Sequence, residues 1–180
     1  VAADELSRLE RGLAVDIGCG AGRNALPLAR IGWSVVGLDL SWPMAAAAAE
    51  RARTEPGGVA LEVVLAPMEA LPIRSGAADL VVAHGIWNLA PSSTIFRAAV
   101  REAARVAKPG ALCFVFTFSR HTLSTEATPV AGEPFVFTDF SGGPQCFLTA
   151  AQLVEEMAAA GLVPDPHVPL IERPHDLLVT

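Results

Sequence analysis

The sequence predicts an α/β protein: a doubly wound, mostly parallel seven-stranded sheet with helices on both faces and an antiparallel hairpin at its C-terminal end. Three observations carry this. Short β-type runs alternate with alanine-rich helical stretches. The runs are apolar almost without interruption, as in strands covered on both faces. With 180 residues, just over half of them hydrophobic, the chain can bury one large core.

The elements follow in order. "LAVDI" (13–17) reads as the first strand and "GRNALPLARIG" (22–32) as a helix that Gly32 can end. "SVVGLDL" (34–40) is the second strand. Ser41 then stands where it can cap a helix through "WPMAAAAAERAR", with Pro43 tolerated in its first turn. "VALEVVLA" (59–66) and "ADLVVAH" (78–84) are the third and fourth strands. Ser92 or Ser93 can cap "STIFRAAVREAARVA", which stops before Pro109-Gly110, and "ALCFVFTFS" (111–119) is the fifth strand. Thr149 opens a helix over "AAQLVEEMAAAG". Two proline-rich β segments, about 162–171 and 176–180, close the sequence as a hairpin.

Residues 120–148 break this rhythm. They hold Gly, Pro, Ser, Thr and four of the eight Phe without a helical period, so they read as a substrate-side insert or lid in a single domain of residues 1–180. There is no internal repeat and no dividing linker. The first residue is Val rather than Met, as in a piece of a longer protein.

Composition excludes several roles. A net charge of −6 argues against gripping a nucleic-acid backbone, which takes clustered Lys and Arg. No apolar run approaches the roughly 20 residues of a membrane helix, and "VAADELSRLERG" has no signal-peptide core. Cys19, Cys113 and Cys146 are odd in number, far apart and outside any CxxC pair. They suit a reducing, cytoplasmic setting, with neither disulfide framework nor metal site.

Chemistry concentrates in "LAVDIGCGAG" (13–22). A dinucleotide fingerprint, G-x-G-x-x-G, would need a glycine where this chain has Arg23; its glycines are Gly18, Gly20 and Gly22. Asp16 ends the strand before the loop. A carboxylate there repels a pyrophosphate and attracts an ammonium or sulfonium. Asp39, 21 positions after Gly18, stands where ribose hydroxyls are bound in either cofactor class. The ligand expected is therefore an adenosine-like molecule carrying positive charge.

These segments resemble the class I S-adenosylmethionine-dependent methyltransferases. "VDIGCGAGRNALPLA" is similar to the family's motif I, and "VVGLDLS" to the segment after it. "APMEALPIRSGAADLVVAHGIWNL", "RVAKPGALCFVF" and "FLTAAQLVEEMAAAGL" resemble its later segments in the family's order, over about residues 12–180. The resemblance implies a Rossmann-like methyltransferase fold, S-adenosyl-L-methionine as cofactor and methyl transfer to an acceptor.

Residue by residue, it implies that Gly18, Cys19 and Gly20 border the methionine part and that Asp16 places its amino group. Asp39 would accept from the ribose hydroxyls, Leu40 and Ser41 border the adenine, and Met68 and Glu69 flank the adenine edge. His84 and Gly85 would meet the cofactor near the methyl group. Where the family often has an Asp for the adenine amino group, this chain has Pro67, which leaves Met68, Glu69 or backbone groups for that task.

Other residues admit plainer readings. Cys19 reads as a small packing residue rather than a nucleophile. Arg23 is either solvated or turned to an anion, and Trp42 either covers the adenine or packs. His84 is the candidate catalytic residue, since it titrates near neutral pH at a strand's C-terminal end. Trp87, Asn88 and His121 are the candidate acceptor-pocket residues, with packing the alternative for Trp87 and packing or exposure the plainer reading of His121. The acidic balance, and "AHGI" where base-methylating enzymes carry N-P-P-aromatic, favour a small-molecule acceptor. The alternatives are an NAD-type dehydrogenase, which Asp16 and Arg23 oppose, and a non-catalytic cofactor-binding scaffold or regulatory protein.

Overall fold

Five parallel strands form the body of the sheet in the computed structural model, which describes residues 11–168, 170–173 and 176–179. The reading of the N-terminal residues, and residues 169, 174, 175 and 180 of the expected hairpin region, lie outside these. The strands are β1 (Leu13–Ile17), β2 (Ser34–Asp39), β3 (Leu61–Leu65), β4 (Ala78–His84) and β5 (Ala107–Phe118). A hairpin of β8 (Ile171–Glu172) and β9 (Asp176–Val179) adds to β5, with β9 antiparallel to it. Among the described residues the sheet order is β3-β2-β1-β4-β5-β9-β8.

Strand order reverses between β1 and β4, which pair in parallel with Ile17 opposite Ala83. In an open α/β sheet a ligand binds in the crevice at such a reversal, beyond the carboxyl ends of the strands. Asp16, Asp39 and His84 lie at or next to those ends because their strands pair in near register: Ile17 with Leu38, and His84 with Phe116.

The helices are α1 (Ala25–Arg30), α2 (Trp42–Thr54), α3 (Ser93–Val106) and α4 (Ala150–Ala159). The core lies on both faces of the sheet. One side packs Trp87, Phe96 and Val100 of the α3 region against Val15, Val81 and Val115; the other packs Leu28 and Trp33 against Ala14, Val35 and Leu80. Ser92 caps α3 by accepting from the Ile95 N–H at 3.2 Å, and Thr149 with Gln152 forms a capping box on α4.

Several boundaries differ from the sequence reading. Residues 22–24 are turn, so α1 is shorter than expected. Ser41 occupies the N-cap of α2 but makes no side-chain cap; the Asp39 Oδ1 takes the Ser41 N–H instead, at 2.8 Å. β5 begins four residues early, at Ala107, because a register shift opposite β4 leaves Lys108–Ala111 out of the ladder and spares Pro109 the donor it lacks. The expected strand over 162–171 is reduced to Ile171–Glu172. Pro164 and Pro166 remove ladder donors, and the Asp165 carboxylate turns the chain by accepting from the His167 N–H at 2.8 Å.

The 120–148 segment is packed. It holds a 3-10 turn (Arg120–Thr122) and a small hairpin of β6 (Val136–Phe137) and β7 (Gln145–Cys146). Phe135, Phe137 and Phe147 are buried, and Phe140 is half exposed. Arg120 ties the loop by donating to Ser124 O (3.0 Å) and Ala127 O (2.8 Å), with its guanidinium 4.7 Å from the Phe137 ring centre.

Candidate functional site

The glycine loop folds back on the end of β2. Gly18 and Cys19 both donate to Leu38 O, at 2.7 and 2.9 Å, and the Gly20 N–H donates to Asp39 Oδ2 at 2.8 Å. Gly18 has φ +70°, and a Cβ there would lie 2.6 Å from Ile86, so both the turn and the close approach require glycine. At Gly20 the space is open: a Cβ would meet nothing within 4 Å. Cys19 turns inward, and its Sγ fills the place a side chain at Gly37 would take. Burial, then the carboxylates of Asp16 and Asp39, push its thiol up to about 12, which suits packing and not nucleophilic attack.

The two carboxylates differ sharply. Asp39 accepts two backbone N–H bonds, and a carboxylate has room for two acceptor contacts more. Asp16 is fully buried and neither of its oxygens has a hydrogen-bond partner. The Ala25 N–H and the Asn24 side chain stand close enough to pull its pKa down without completing a bond. Burial and the Asp39 charge outweigh them and raise it to about 7. An orphaned buried carboxylate is what a cationic group would satisfy.

Beyond Asp39 lies a cavity of about 600 Å³, within the range of small-molecule sites. Leu40 and Ser41 line one side, Pro67, Met68 and Glu69 another, and Ile86, Leu89 and Ile95 give it an apolar wall. Leu40 and Trp42 are exposed, at 75% and 68%, so Trp42 is not a core residue.

His84, the last residue of β4, is half-buried. Its ring centre is 4.6 Å from that of Phe116, and its Nδ1 is 3.4 Å from Asn24 Nδ2. Burial first, and then the Arg23 charge, hold its pKa below the usual histidine value. Gly85 follows, its N–H bonded to Phe116 O at 2.9 Å.

The acceptor-pocket candidates do not come together. Trp87 is fully buried, 6.0 Å edge-on to Phe96, and Asn88 is also buried, so both belong to the core under α3. They were expected to face the pocket because they follow His84, but the 3-10 turn Trp87–Leu89 rotates them inward. His121 is exposed, 3.5 Å from Glu172 of β8. Two features escaped the sequence reading: Asn24, between Asp16 and His84, and the apolar wall from Ile86, Leu89 and Ile95. Residues on three separate elements build these, and no local motif announces them.

The fold is a doubly wound α/β domain with a cavity beyond the end of β2 and an unpaired buried carboxylate in β1. Comparison with known proteins narrows the class. A family model described as "Methyltransferase domain" matches residues 15–115. The chain is 32% identical over 152 residues to a ubiquinone biosynthesis O-methyltransferase of Methylobacterium sp. (strain 4-46), over 83% of this chain and 59% of that protein. Among solved structures, a SAM-dependent methyltransferase of Methanosarcina mazei superposes with a TM-score of 0.79 at 22% identity, covering 96% of this chain and 93% of that one. The [4+2]-cyclase SpnF superposes at 0.69 with 27% identity, covering 89% and 55%.

The chain belongs to the methyltransferase domain family, of the class I, S-adenosylmethionine-dependent type. It spans about three-fifths of the length of the curated relative above. Among the described residues no helix is long and apolar enough to cross a membrane.

Proposed function

We propose that this domain transfers the methyl group of S-adenosylmethionine to an oxygen of a small-molecule acceptor. The observation that carries the reading is Asp16: a fully buried carboxylate without a partner, in the strand that leads into the glycine loop. When bound, the cofactor supplies an activated methyl group on a positively charged sulfur, so the protein's work is alignment and exclusion of water. Asp16 would hold the ammonium, with Gly18 and Gly20 giving the backbone room. Asp39 would accept from ribose hydroxyls with its remaining lone pairs. Leu40, Ser41, Met68 and Glu69 would bound the adenine in the 600 Å³ cavity. Pro67 offers neither carboxylate nor N–H, so the adenine edge falls to Glu69 or to backbone groups. His84 and Gly85 would face the reacting atoms. The relatives named O-methyltransferases favour an oxygen acceptor, and the net charge of −6 disfavours nucleic acid. Three buried free cysteines suit a reducing, cytoplasmic compartment.

Calorimetric titration with S-adenosylhomocysteine and, separately, with NADH tests the cofactor. We expect binding of the first and none of the second; the opposite pattern sinks the reading. Mass analysis of products from S-adenosylmethionine and a panel of phenols, enols and carboxylic acids tests the transfer. An added methyl is expected, and rearranged but unmethylated products would point to chemistry like that of the cyclase neighbour.

A further inference from the structure

The cavity of about 600 Å³ runs across three neighbouring strand ends. It starts at Ile17 and Gly18 after β1, passes Asp39 at the end of β2, and reaches Pro67, Met68 and Glu69 just beyond β3. Asp39 pairs with Leu65, the last residue of β3, so the turn that follows lies one strand further out. Neighbouring strands stand about 4.8 Å apart, which puts roughly 10 Å between the ends of β1 and β3. A ligand anchored at Asp16 and Asp39 therefore extends its far end to that turn.

Few polar groups meet it there. Among the described residues, Asp39 and Glu69 are the only charged side chains that line the cavity, and Ser41 is the only other polar one. The Ala66 N–H is engaged by Asp39 O at 3.1 Å, Pro67 has no N–H, and Pro67 O takes the Ala70 N–H at 3.3 Å. That last bond closes a turn with Met68 and Glu69 at its corner. Met68 packs against the core cluster that holds Trp87 and Phe96. Glu69 is partly exposed and engages no hydrogen bond or ion pair among the described residues. Carboxylate oxygens only accept, whereas the Ser41 hydroxyl gives or takes a hydrogen bond as its partner demands. Of these side chains, Glu69 alone can tell a ring that carries an amino group from one that does not.

We propose that Glu69 is the specificity-determining residue of this cavity: it accepts a hydrogen bond from the 6-amino group of the adenine and so selects an amino-bearing purine. The inference rests on the cofactor reading above and adds to it the residue that reads the base. The apolar wall of Ile86, Leu89 and Ile95 gains contact with any flat ring, since burial of apolar surface has no direction. Discrimination falls to the one hydrogen bond, and a site built to make such a bond rejects the analogue that lacks it.

Calorimetric titration compares S-adenosylhomocysteine with its 6-deamino analogue, which carries hydrogen in place of the amino group and keeps every ring atom. Wild-type protein should bind the amino form about 10–100-fold more tightly, the range for one hydrogen bond to a charged acceptor. In Glu69→Ala the gap should close to within about threefold, through loss of affinity for the amino form alone. Glu69→Gln keeps an uncharged acceptor, so a gap of about 2–10-fold should remain. A full gap in Glu69→Ala overturns the proposal and gives the amino group to backbone carbonyls. Equal binding of the two compounds by wild-type protein overturns it as well, since the base then goes unread. Binding of neither by wild-type protein sinks the cofactor reading itself, which the other two results leave standing.

Discussion

The glycine-loop half of the sheet and the segment between β5 and α4 are held in opposite ways. Around β1 and β2, backbone bonds to Leu38 and Asp39 fix the loop, while Asp16 stays buried without a partner. Between β5 and α4 little regular structure forms, yet Phe135, Phe137, Cys146, Phe147 and Leu148 are all buried. One region carries an electrostatic cost that a ligand can relieve; the other satisfies itself by burying aromatic surface. Residues that bind are thus expected to be costly to the fold, and residues that brace are expected to be silent in cofactor binding.

The largest effect should come from the bracing side. Phe147 is fully buried, with its ring centre 6.3 Å from Phe118, 6.2 Å from Phe137 and 5.6 Å from Phe140. Phe147→Ala should cost about 3–5 kcal/mol, the usual range for deleting a buried aromatic side chain. Urea unfolding measures it. A loss under about 1 kcal/mol would mean that the segment is loosely attached and that the contrast between the two regions fails.

Asp16 comes next, with the opposite sign. Its folded pKa is about 7 against an ordinary 3.8, so between those values the folded state holds a proton that the unfolded state has released. Stability therefore falls as pH rises from about 4 to about 7 and then levels. Asp16→Asn removes this cost and should raise the stability of the cofactor-free protein by roughly 2–4 kcal/mol above pH 7, with no gain below pH 4. The same variant should bind S-adenosylhomocysteine at least about tenfold more weakly, since the ammonium loses its counter-charge. Thermal melts across pH with and without the ligand check both halves. A variant that is destabilised at every pH, or that binds normally, would remove Asp16 from the site.

How much of this was legible follows from the same contrast. β1 and β4 were read to the residue because buried parallel strands are apolar nearly throughout. Asp16 and Asp39 were singled out because a loop and the strand end next to it are close in sequence. The start of β5 was missed because Lys108-Pro109-Gly110 reads as a breaker unless the register shift opposite Ala78 and Leu80 is known. For Trp87 the sequence leaves pocket and packing both open for a related reason: a three-residue turn decides which way it points, and here it packs. Asn24 was invisible, since its partner His84 is 60 positions away and reaches it only through the pairing of β1 with β4. Local chemistry was legible; anything that depends on register or on a turn's direction was not.

Asp39 tests the satisfied member of the carboxylate pair. It already braces the loop through the Gly20 and Ser41 N–H groups, so its removal should affect both structure and binding. Asp39→Ala should weaken S-adenosylhomocysteine binding by about 1–3 kcal/mol by calorimetry. Unlike Asp16→Asn it should not stabilise the free protein at any pH. A gain in stability would show that Asp39, too, is held at a cost, and the distinction between the two carboxylates would collapse.

The smallest effect belongs to Phe140, where the bracing cluster opens to solvent. Its ring is 52% exposed and stands 5.6 Å from both Phe118 and Phe147. Phe118 in turn meets Phe116, 4.6 Å from His84, so an aromatic path runs from the packed segment to His84 at the end of β4. Half of the ring is already in water, so Phe140→Ala should cost no more than about 1 kcal/mol of stability and leave cofactor affinity unchanged. If the exposed face of Phe140 borders the acceptor, the variant should raise KM for an aromatic acceptor several-fold at constant kcat, because only uniform binding is lost. Unchanged KM for every acceptor in the panel would confine the segment to bracing. A fall in kcat with KM constant would instead place Phe140 where it shapes the transition state.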